Sequence, residues 1–185
     1  MEEKIIIAGF GGQGVMAIGK LLAYAGMIEE KNVSWLPSYG PEMRGGTANC
    51  HVIISEKLIG SPVISKDATA AIIMNLPSLR KFENELIPGG KLIINKSLID
   101  QETMRQDVDV YYIPANEIAA ELGNSKVSNM ILLGAYLELT KAVSIESALE
   151  AFLKVFGENK QNVIPLNRTA LLKGGEIVKE KSAIY

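Results

Sequence analysis

Residues 4–22 have the sequence KIIIAGFGGQGVMAIGKLL, in which a short apolar run leads through a cluster of glycines into a second apolar segment. The β-branched run at 5–8 predicts a buried strand, and the apolar spacing across 15–22 predicts a helix. The residues between them fit the spacing G-x-G-x-x-G, in which glycine permits a tight turn and close approach of a ligand to the backbone. These residues, the glycine turn, are Gly9, Phe10, Gly11, Gly12, Gln13 and Gly14. The stretch predicts the strand, turn and helix that open an α/β sheet.

The glycine turn supports two interpretations. Its free N–H groups and the helix dipole favour a phosphate or carboxylate, but the same turn can serve only to pack the first helix onto its strand. A dinucleotide-binding turn is usually followed, about 20 residues later, by an acidic residue that holds a ribose hydroxyl. Here that position falls within residues 33–36, which contain no acid. The sequence therefore argues against an NAD site.

The composition is that of one well-cored domain covering residues 1–185. The chain is 48% hydrophobic and 22% charged, with a net charge of −2 and no long basic run. It therefore lacks the charge pattern expected for binding nucleic acid or an anionic membrane surface. The N-terminal apolar run is too short for a membrane span and lacks the features of a signal peptide, so we expect a soluble, cytoplasmic protein.

Cysteine and histidine are scarce. The single cysteine, Cys50, excludes an internal disulfide and any iron–sulfur cluster held by several cysteines of this chain alone. With one histidine, His51, a structural zinc site is not expected. Residues 47–55 alternate in polarity, which predicts a strand with Cys50 on its buried face. His51 is then a polar strand residue rather than a catalytic base.

The remaining pattern predicts the sheet. The first helix should end near residue 28 and lead to a second strand at 32–36, forming a right-handed crossover that starts a parallel sheet. Further strands are predicted at 47–55, 70–74, 91–95 and 108–113, with a possible hairpin strand at 58–60 and a turn at 88–90. We therefore predict a three-layer α/β/α, Rossmann-like open sheet, mostly parallel with some antiparallel strands.

The C-terminal part is predicted to be helical from residue 116 onward. Its last helix should cover about 166–181, with Gly174 and Gly175 as a weak point. Asparagines follow three of the predicted strands, where they are expected to cap helices rather than to bind a ligand. They are Asn75, Asn95 and Asn116.

Residues 37–46 contain two prolines and three glycines, which predicts a long loop beyond the carboxyl end of the second strand. That edge is where open α/β sheets bind their ligands. Arg44 suits a bidentate contact with a carboxylate or phosphate, or else an ion pair with Glu42. Tyr39 offers a flat face to a ring or a neighbouring chain, or else fixes the loop to the domain. The candidate loop residues are Tyr39, Gly40, Pro41, Glu42, Arg44, Gly45 and Gly46.

The glycine turn together with residues 39–46, YGPEMRGG, resembles the gamma subunit, or gamma domain, of 2-oxoacid:ferredoxin oxidoreductases. The two motifs are far more specific together than apart. The likeness extends through residues 61–62, 75–78, 114–116 and 129–134. Within the family, residues 36–50 look most like gamma subunits of 2-oxoglutarate enzymes.

The resemblance implies a reaction shared among several chains. The family decarboxylates a 2-oxoacid oxidatively with thiamine diphosphate, passes electrons through iron–sulfur clusters to ferredoxin, and releases an acyl-coenzyme A. This chain has neither a Gly-Asp-Gly stretch typical of thiamine sites nor a multi-cysteine pattern. The resemblance therefore implies no bound cofactor and no catalytic residue here, partners of the alpha, beta and delta type, and no activity for the chain alone.

For the site, the resemblance implies that the glycine turn and the 39–46 loop face the thiamine-bearing subunits and contribute to the access route or binding surface for coenzyme A. Arg44 is the residue expected to contact an anion directly. Two other functions stay open from the sequence. One is a free-standing oxidoreductase using NAD or a flavin, and the other is a non-catalytic nucleotide-binding or assembly module.

Overall fold

A computed structural model describes residues 1–38 and 47–182. Its strands are β1 (Glu2–Phe10), β2 (Asn32–Ser38), β3 (Thr47–Ser55), β4 (Ala68–Ile73), β5 (Leu86–Asn95) and β6 (Asp109–Ile113). Its α-helices are α1 (Val15–Ile28), α2 (Leu76–Phe82), α3 (Ala115–Glu121), α4 (Ser128–Thr140), α5 (Ile145–Phe156) and α6 (Ile164–Ser182). Short 3₁₀ segments cover Glu83–Glu85, Ser125–Val127 and Glu158–Val163.

The strands form one six-stranded sheet in the order β2-β3-β1-β4-β5-β6. Strands β1, β4, β5 and β6 are parallel, whereas β3 is antiparallel to both of its neighbours, β1 and β2. The predicted fold class, a mostly parallel α/β sheet with some antiparallel pairing, is confirmed. The expected start of the sheet is corrected, because β3 lies between β1 and β2.

Alternation along β1 divides the core into two layers. Ile5 and Ile7 face the layer formed by α1 and the C-terminal helices, while Ile6 and Ala8 face the layer formed by α2 and the segment before β4. All four side chains are fully buried. A strand buried on both faces reads as a continuous apolar run, which is what residues 5–8 show.

Two predicted details of the sheet are wrong. Residues 58–60 form no strand, and the predicted turn at 88–90 lies inside β5. Gly89 has a φ of +73° there, and the register between β4 and β5 shifts between Ala68 and Ala70. The glycines therefore provide a bulge, which keeps the strand continuous where a turn was expected.

Helices α4 and α6 cross in very close contact. A Cβ atom on Gly134 would lie 2.0 Å from the Leu171 carbonyl oxygen, and one on Gly174 would lie 1.9 Å from the Ile131 carbonyl oxygen. Glycine at both positions lets the two backbones touch. Gly174 is therefore a packing site and not the predicted weak point of the last helix.

The predicted capping role holds for one asparagine. The Asn75 carboxamide oxygen accepts a hydrogen bond from the Ser78 N–H, 2.8 Å away, and caps α2. Asn95 instead donates to the Asn116 side chain over 3.0 Å, and in the first turn of α3 the Asn116 N–H donates to the Ser97 hydroxyl at 2.9 Å. These two asparagines link the end of β5 to the start of α3, because the strands that precede them are neighbours in the sheet. Local sequence does not contain this relation.

Within the described ranges, no helix is both long and apolar enough to span a membrane.

Candidate functional site: the glycine turn at the carboxyl edge of the sheet

The glycine turn joins β1 to α1 at the carboxyl edge of the parallel strands. Gly12 and Gly14 have φ values of +89° and +84°, in the left-handed region that other residues rarely adopt. Gly14 also contacts α4, since a Cβ atom there would lie 2.3 Å from Nδ2 of Asn129. Both glycines are therefore required by backbone geometry, and Gly14 by packing as well.

Gln13 holds the turn in place. Its Oε1 accepts a hydrogen bond from the Phe10 N–H at 2.6 Å, and its Nε2 donates to the Met74 carbonyl oxygen at 3.2 Å. The side chain thereby bridges β1 to the end of β4. Gly9 leaves it the necessary space, because a Cβ atom on Gly9 would lie 2.5 Å from Gln13 Oε1.

The N-terminus of α1 has unused hydrogen-bond donors. The Ile18 N–H bonds to the Gly14 carbonyl oxygen at 3.0 Å, but the N–H groups of residues 14–17 have no acceptor among residues 1–38 and 47–182. These donors and the helix dipole favour an anion. They border a cavity of about 230 Å³ lined by Phe10, Gly11, Gly12, Gly14, Val15, Met16, Ala17 and Ala48.

The predicted loop starts and ends at this same edge. Ser38, the last residue of β2, is aligned with Asn49, and Thr47, the first residue of β3, is aligned with Phe10 of the turn. The loop candidates Tyr39, Gly40, Pro41, Glu42, Arg44, Gly45 and Gly46 lie outside the described residues. The structure thus brings the flanks of both motifs together.

A second cleft, of about 420 Å³, begins at Ala17 and Asn129 beside the glycine turn and continues under α5. Its apolar wall includes Phe152 and Phe156, whose ring centroids are 4.7 Å apart. The sequence interpretation missed this cleft, because its residues come from helices that are distant along the chain. Its lysines are Lys126 and Lys160, neither of which forms an ion pair with another described residue.

Cys50 and His51 take structural positions. Burial raises the pKa of the Cys50 thiol to about 12, against a smaller opposing effect of the Trp35 indole, so the thiol stays protonated at neutral pH. Burial also lowers the pKa of His51. The His51 Nδ1 accepts a hydrogen bond from the Ile64 N–H over 3.4 Å. The expectations of a buried cysteine and a polar strand histidine are confirmed.

Among the residues that the structure describes, no group of three or more His, Cys, Asp and Glu side chains could hold a metal.

The sheet order also bears on dinucleotide binding. The acid that holds a ribose in such folds follows the strand next to β1. Here β3 separates β1 from β2. Since neighbouring strands lie about 4.8 Å apart, the end of β2 lies roughly 10 Å from β1. The geometry therefore adds to the missing acid as an argument against an NAD site.

The sequence of residues 4–177 matches the family model described as pyruvate ferredoxin/flavodoxin oxidoreductase. The chain belongs to this family. The 2-oxoglutarate synthase subunit KorC of Methanocaldococcus jannaschii is 32% identical over 185 residues, covering 97% of this chain and 96% of that protein. The resemblance inferred from the two motifs is confirmed.

Another relative in this oxidoreductase family is a much longer protein. The ketoisovalerate oxidoreductase subunit VorA of Methanothermobacter thermautotrophicus is 34% identical over 179 residues, covering 97% of this chain but 37% of that protein. The chain thus spans little more than a third of that relative.

A crystal structure of a keto/oxoacid ferredoxin oxidoreductase gamma subunit from Geobacter sulfurreducens matches with a TM-score of 0.79 at 28% identity, over 94% of this chain and 96% of that one.

Proposed function

We propose that this chain is the gamma subunit of a multi-subunit 2-oxoacid:ferredoxin oxidoreductase. The complex decarboxylates a 2-oxoacid oxidatively, forms an acyl-coenzyme A and reduces ferredoxin. The substrate proposed is 2-oxoglutarate. The observation that carries the proposal is the match to a KorC subunit along almost the full length of both chains.

A second candidate substrate is a branched-chain 2-oxoacid. The VorA relative, named for ketoisovalerate, is at 34% slightly more identical to this chain than KorC is, although only part of its length matches. Because subunits named for two different oxoacids resemble this chain about equally, the residues that select the oxoacid are proposed to lie in companion chains. Full-length agreement favours the 2-oxoglutarate assignment over the branched-chain one.

The chain's own contribution is proposed to be a surface and not a redox centre. Thiamine diphosphate and the iron–sulfur clusters belong to alpha-, beta- and delta-type partners, and ferredoxin docks through the complex. The single cysteine supports this division, because Cys50 is fully buried in the sheet and cannot ligate a cluster shared with a partner. The isolated chain is then inactive.

The glycine turn is proposed to contribute to the coenzyme A surface. Coenzyme A carries phosphates, and the unused N–H groups of residues 14–17 offer donors and a positive helix end to such an anion. The 39–46 loop, with Arg44, is proposed to complete this surface, because Ser38 and Thr47, which flank it in the chain, lie at the same edge of the sheet. The turn and loop face the thiamine-bearing subunits.

The function is tested on the intact complex. Tagged chain is recovered anaerobically with its partners, and the eluate is assayed for reduction of a viologen dye that depends on coenzyme A. The substrates compared are 2-oxoglutarate, ketoisovalerate and pyruvate. Highest activity with 2-oxoglutarate supports the proposal, and highest activity with ketoisovalerate supports the second candidate. A colourless chain that elutes alone contradicts both.

The coenzyme A surface is tested separately with Met16, a partly buried residue among those that line the cavity at the start of α1. Met16→Glu places a negative charge in the first turn, where it stabilises the helix but repels an incoming phosphate. We expect the apparent KM for coenzyme A to rise several-fold in the assembled complex. Met16→Gln has a similar shape and no charge, so it is the matched control. An unchanged KM in an active complex contradicts the surface and leaves the subunit assignment standing.

A further inference from the structure

The cleft under α5, of about 420 Å³, opens beside the smaller cavity of about 230 Å³ at the start of α1. Its walls come from α1, α4, α5 and α6 and from the short 3₁₀ segments next to α4 and α6. Clefts of about 300–1,000 Å³ are typical of sites for small molecules. Ala17 lines both cavities. A ligand bound at the start of α1 can therefore extend past this small side chain into the cleft.

The charge that lines the cleft is positive. Its lining includes Lys126 and Lys160, and there is no aspartate or glutamate among its described residues. Both lysines are exposed, and neither pairs with an acid in the described part of the chain. The chain as a whole has a net charge of −2, so this local excess of cations is not a general property of the surface. The cleft therefore suits an anion better than a neutral or cationic ligand.

An aromatic wall borders the same space. Phe152 and Phe156 lie one turn apart on α5, with their ring centroids 4.7 Å apart. Phe152 packs against the core, whereas Phe156 is 41% exposed. Stacking on an aromatic side chain is a common way for proteins to hold a nucleobase. The Phe156 ring thus offers a contact surface to a planar base.

Two carboxamides add hydrogen-bonding groups to the lining. The Asn124 Oδ1 accepts from the Lys126 N–H at 3.0 Å, and its Nδ2 group has no partner among the described residues. The Asn129 side chain lies beside Gly14 and forms no hydrogen bond with any residue that the structure describes. A free carboxamide has the donor and acceptor that match the N6 and N7 groups of adenine. The amides favour a nucleobase over a simple apolar anion.

We propose that the cleft binds the nucleotide end of coenzyme A, with the adenine on Phe156 and the 3′-phosphate at Lys126 and Lys160. This inference rests on the coenzyme A surface proposed above for the glycine turn. The diphosphate, which adjoins the adenosine in coenzyme A, then lies at the free N–H groups of residues 14–17. The pantetheine arm continues toward Phe10 and Ala48, at the end of the small cavity away from the cleft.

Two separate positive regions favour coenzyme A over a free adenine nucleotide. The start of α1 provides one of them, and the lysines of the cleft provide the other. A free nucleotide carries a base and 5′-phosphates but no 3′-phosphate, so with its 5′-phosphates at α1 it leaves both lysines without an anion. Coenzyme A has a phosphate group for each region and a base for the wall between them.

Photolabelling of the intact complex locates the nucleotide directly. The probe is 8-azidoadenosine 3′,5′-bisphosphate, which has the base and the 3′-phosphate but lacks the pantetheine arm. We expect it to label a peptide of this chain that contains Phe156 or Lys160, and we expect excess coenzyme A to prevent this labelling. A label that is absent, that falls outside the cleft, or that coenzyme A does not displace overturns the proposal.

Dephospho-coenzyme A lacks only the 3′-phosphate and tests the role of the lysines. Lys126→Ala and Lys160→Ala should each raise the apparent KM for coenzyme A about two- to fivefold, as expected for one exposed charge contact. Neither variant should change the KM for dephospho-coenzyme A. Lys154→Ala is the matched control and should change neither KM, because Lys154 is an exposed lysine of α5 that pairs with Glu150 and does not line the cleft.

These results separate the nucleotide site from the proposed function. If the complex is active but the lysine variants change the KM of both ligands equally, or of neither, the nucleotide site is overturned and the subunit assignment stands. A complex whose activity does not depend on coenzyme A contradicts the proposed function. Photolabelling then still decides whether the cleft holds the nucleotide.

Discussion

The Gln13 carboxamide donates a hydrogen bond to the Met74 carbonyl oxygen 3.2 Å away and thereby joins the glycine turn to the neighbouring strand. The same side chain accepts from the Phe10 N–H. Gln13→Ala removes both bonds, and we expect a loss of about 1–3 kcal/mol in the free energy of unfolding. Denaturant unfolding measures this loss.

Gln13→Glu probes the direction of the bond to Met74. A carboxylate can still accept from Phe10, but it cannot donate to the Met74 carbonyl oxygen. The variant should be less stable than the native chain at pH 7 and should approach it at lower pH, where the carboxyl group is protonated and can donate. A difference in unfolding free energy that does not change with pH would show that this donor is unimportant.

The crossing of α4 and α6 predicts opposite outcomes for two adjacent glycines. Gly174→Ala places a Cβ atom 1.9 Å from the Ile131 carbonyl oxygen, so the helices must separate, at a cost of about 3 kcal/mol or more. Gly175→Ala meets nothing closer than Glu138 Cβ at 3.4 Å. It should be neutral or stabilise the helix by up to about 1 kcal/mol. Thermal unfolding of both variants checks the prediction, and equal effects would contradict the close crossing.

Glu29 predicts a pH dependence of stability. Burial opposes its ionisation, but hydrogen bonds from the Lys31 ammonium and the Ser144 N–H outweigh this and lower the pKa from 4.5 to about 2. The ionised form is thus stabilised in the folded state, and its contribution is complete above pH 4.5 and lost as the pH falls toward 2. Glu29→Gln should cost up to about 3 kcal/mol at neutral pH.

The measurement for Glu29 is the difference in unfolding free energy between the native chain and Glu29→Gln across this range. We expect the difference to shrink as the pH falls. Glu158→Gln is a control, because Glu158 forms no ion pair with a described residue. A difference that stays constant down to pH 2 would place the effect in side-chain shape and not in charge.

Cys50 should be unreactive in the folded protein. Its thiol is fully buried, lies 3.7 Å from the Val15 carbonyl oxygen, and has its pKa raised to about 12. Because the thiolate is the reactive species, iodoacetamide at pH 8 should label the native chain far more slowly than the chain unfolded in urea. Mass spectrometry counts the label. Equal rates would mean that α1 separates from the sheet readily.

Arg44→Ala tests the predicted anion contact of the loop. In the assembled complex we expect a lower turnover or a weaker apparent affinity for coenzyme A, because the guanidinium suits phosphate and carboxylate groups. Arg168→Ala is the control, since Arg168 is an exposed arginine that pairs with Glu146. Unchanged kinetics in an intact complex would contradict the role assigned to Arg44.

Much of the architecture was predictable because it depends on local patterns. The run at 5–8, the glycine turn and the alternation along β3 each specify an element and its buried face without reference to distant residues. The same holds for Cys50, which the period of the strand places inside. The family resemblance was equally local, since it depends on two short motifs with constrained backbone chemistry.

Other features required the folded chain. The turn predicted at 88–90 is a bulge instead, because β4 pairs with Leu86 before this segment and with Lys91 after it. Asn95 and Asn116 were expected to cap helices, but adjacent strand ends bring their side chains together. Asn129 belongs to the segment 129–134 over which the family resemblance extends, yet its contact with Gly14 forms only because α4 packs beside α1.

The sequence by itself determined the glycine turn, the alternation of the strands and the family, because these follow from local backbone preferences and side-chain periodicity. The tertiary structure alone decided that β3 lies between β1 and β2 and that Gln13 bridges two strands. Each of these is a relation between segments far apart in the chain. Pairing and packing fix such relations through the shared burial of several elements, which local sequence preferences do not specify.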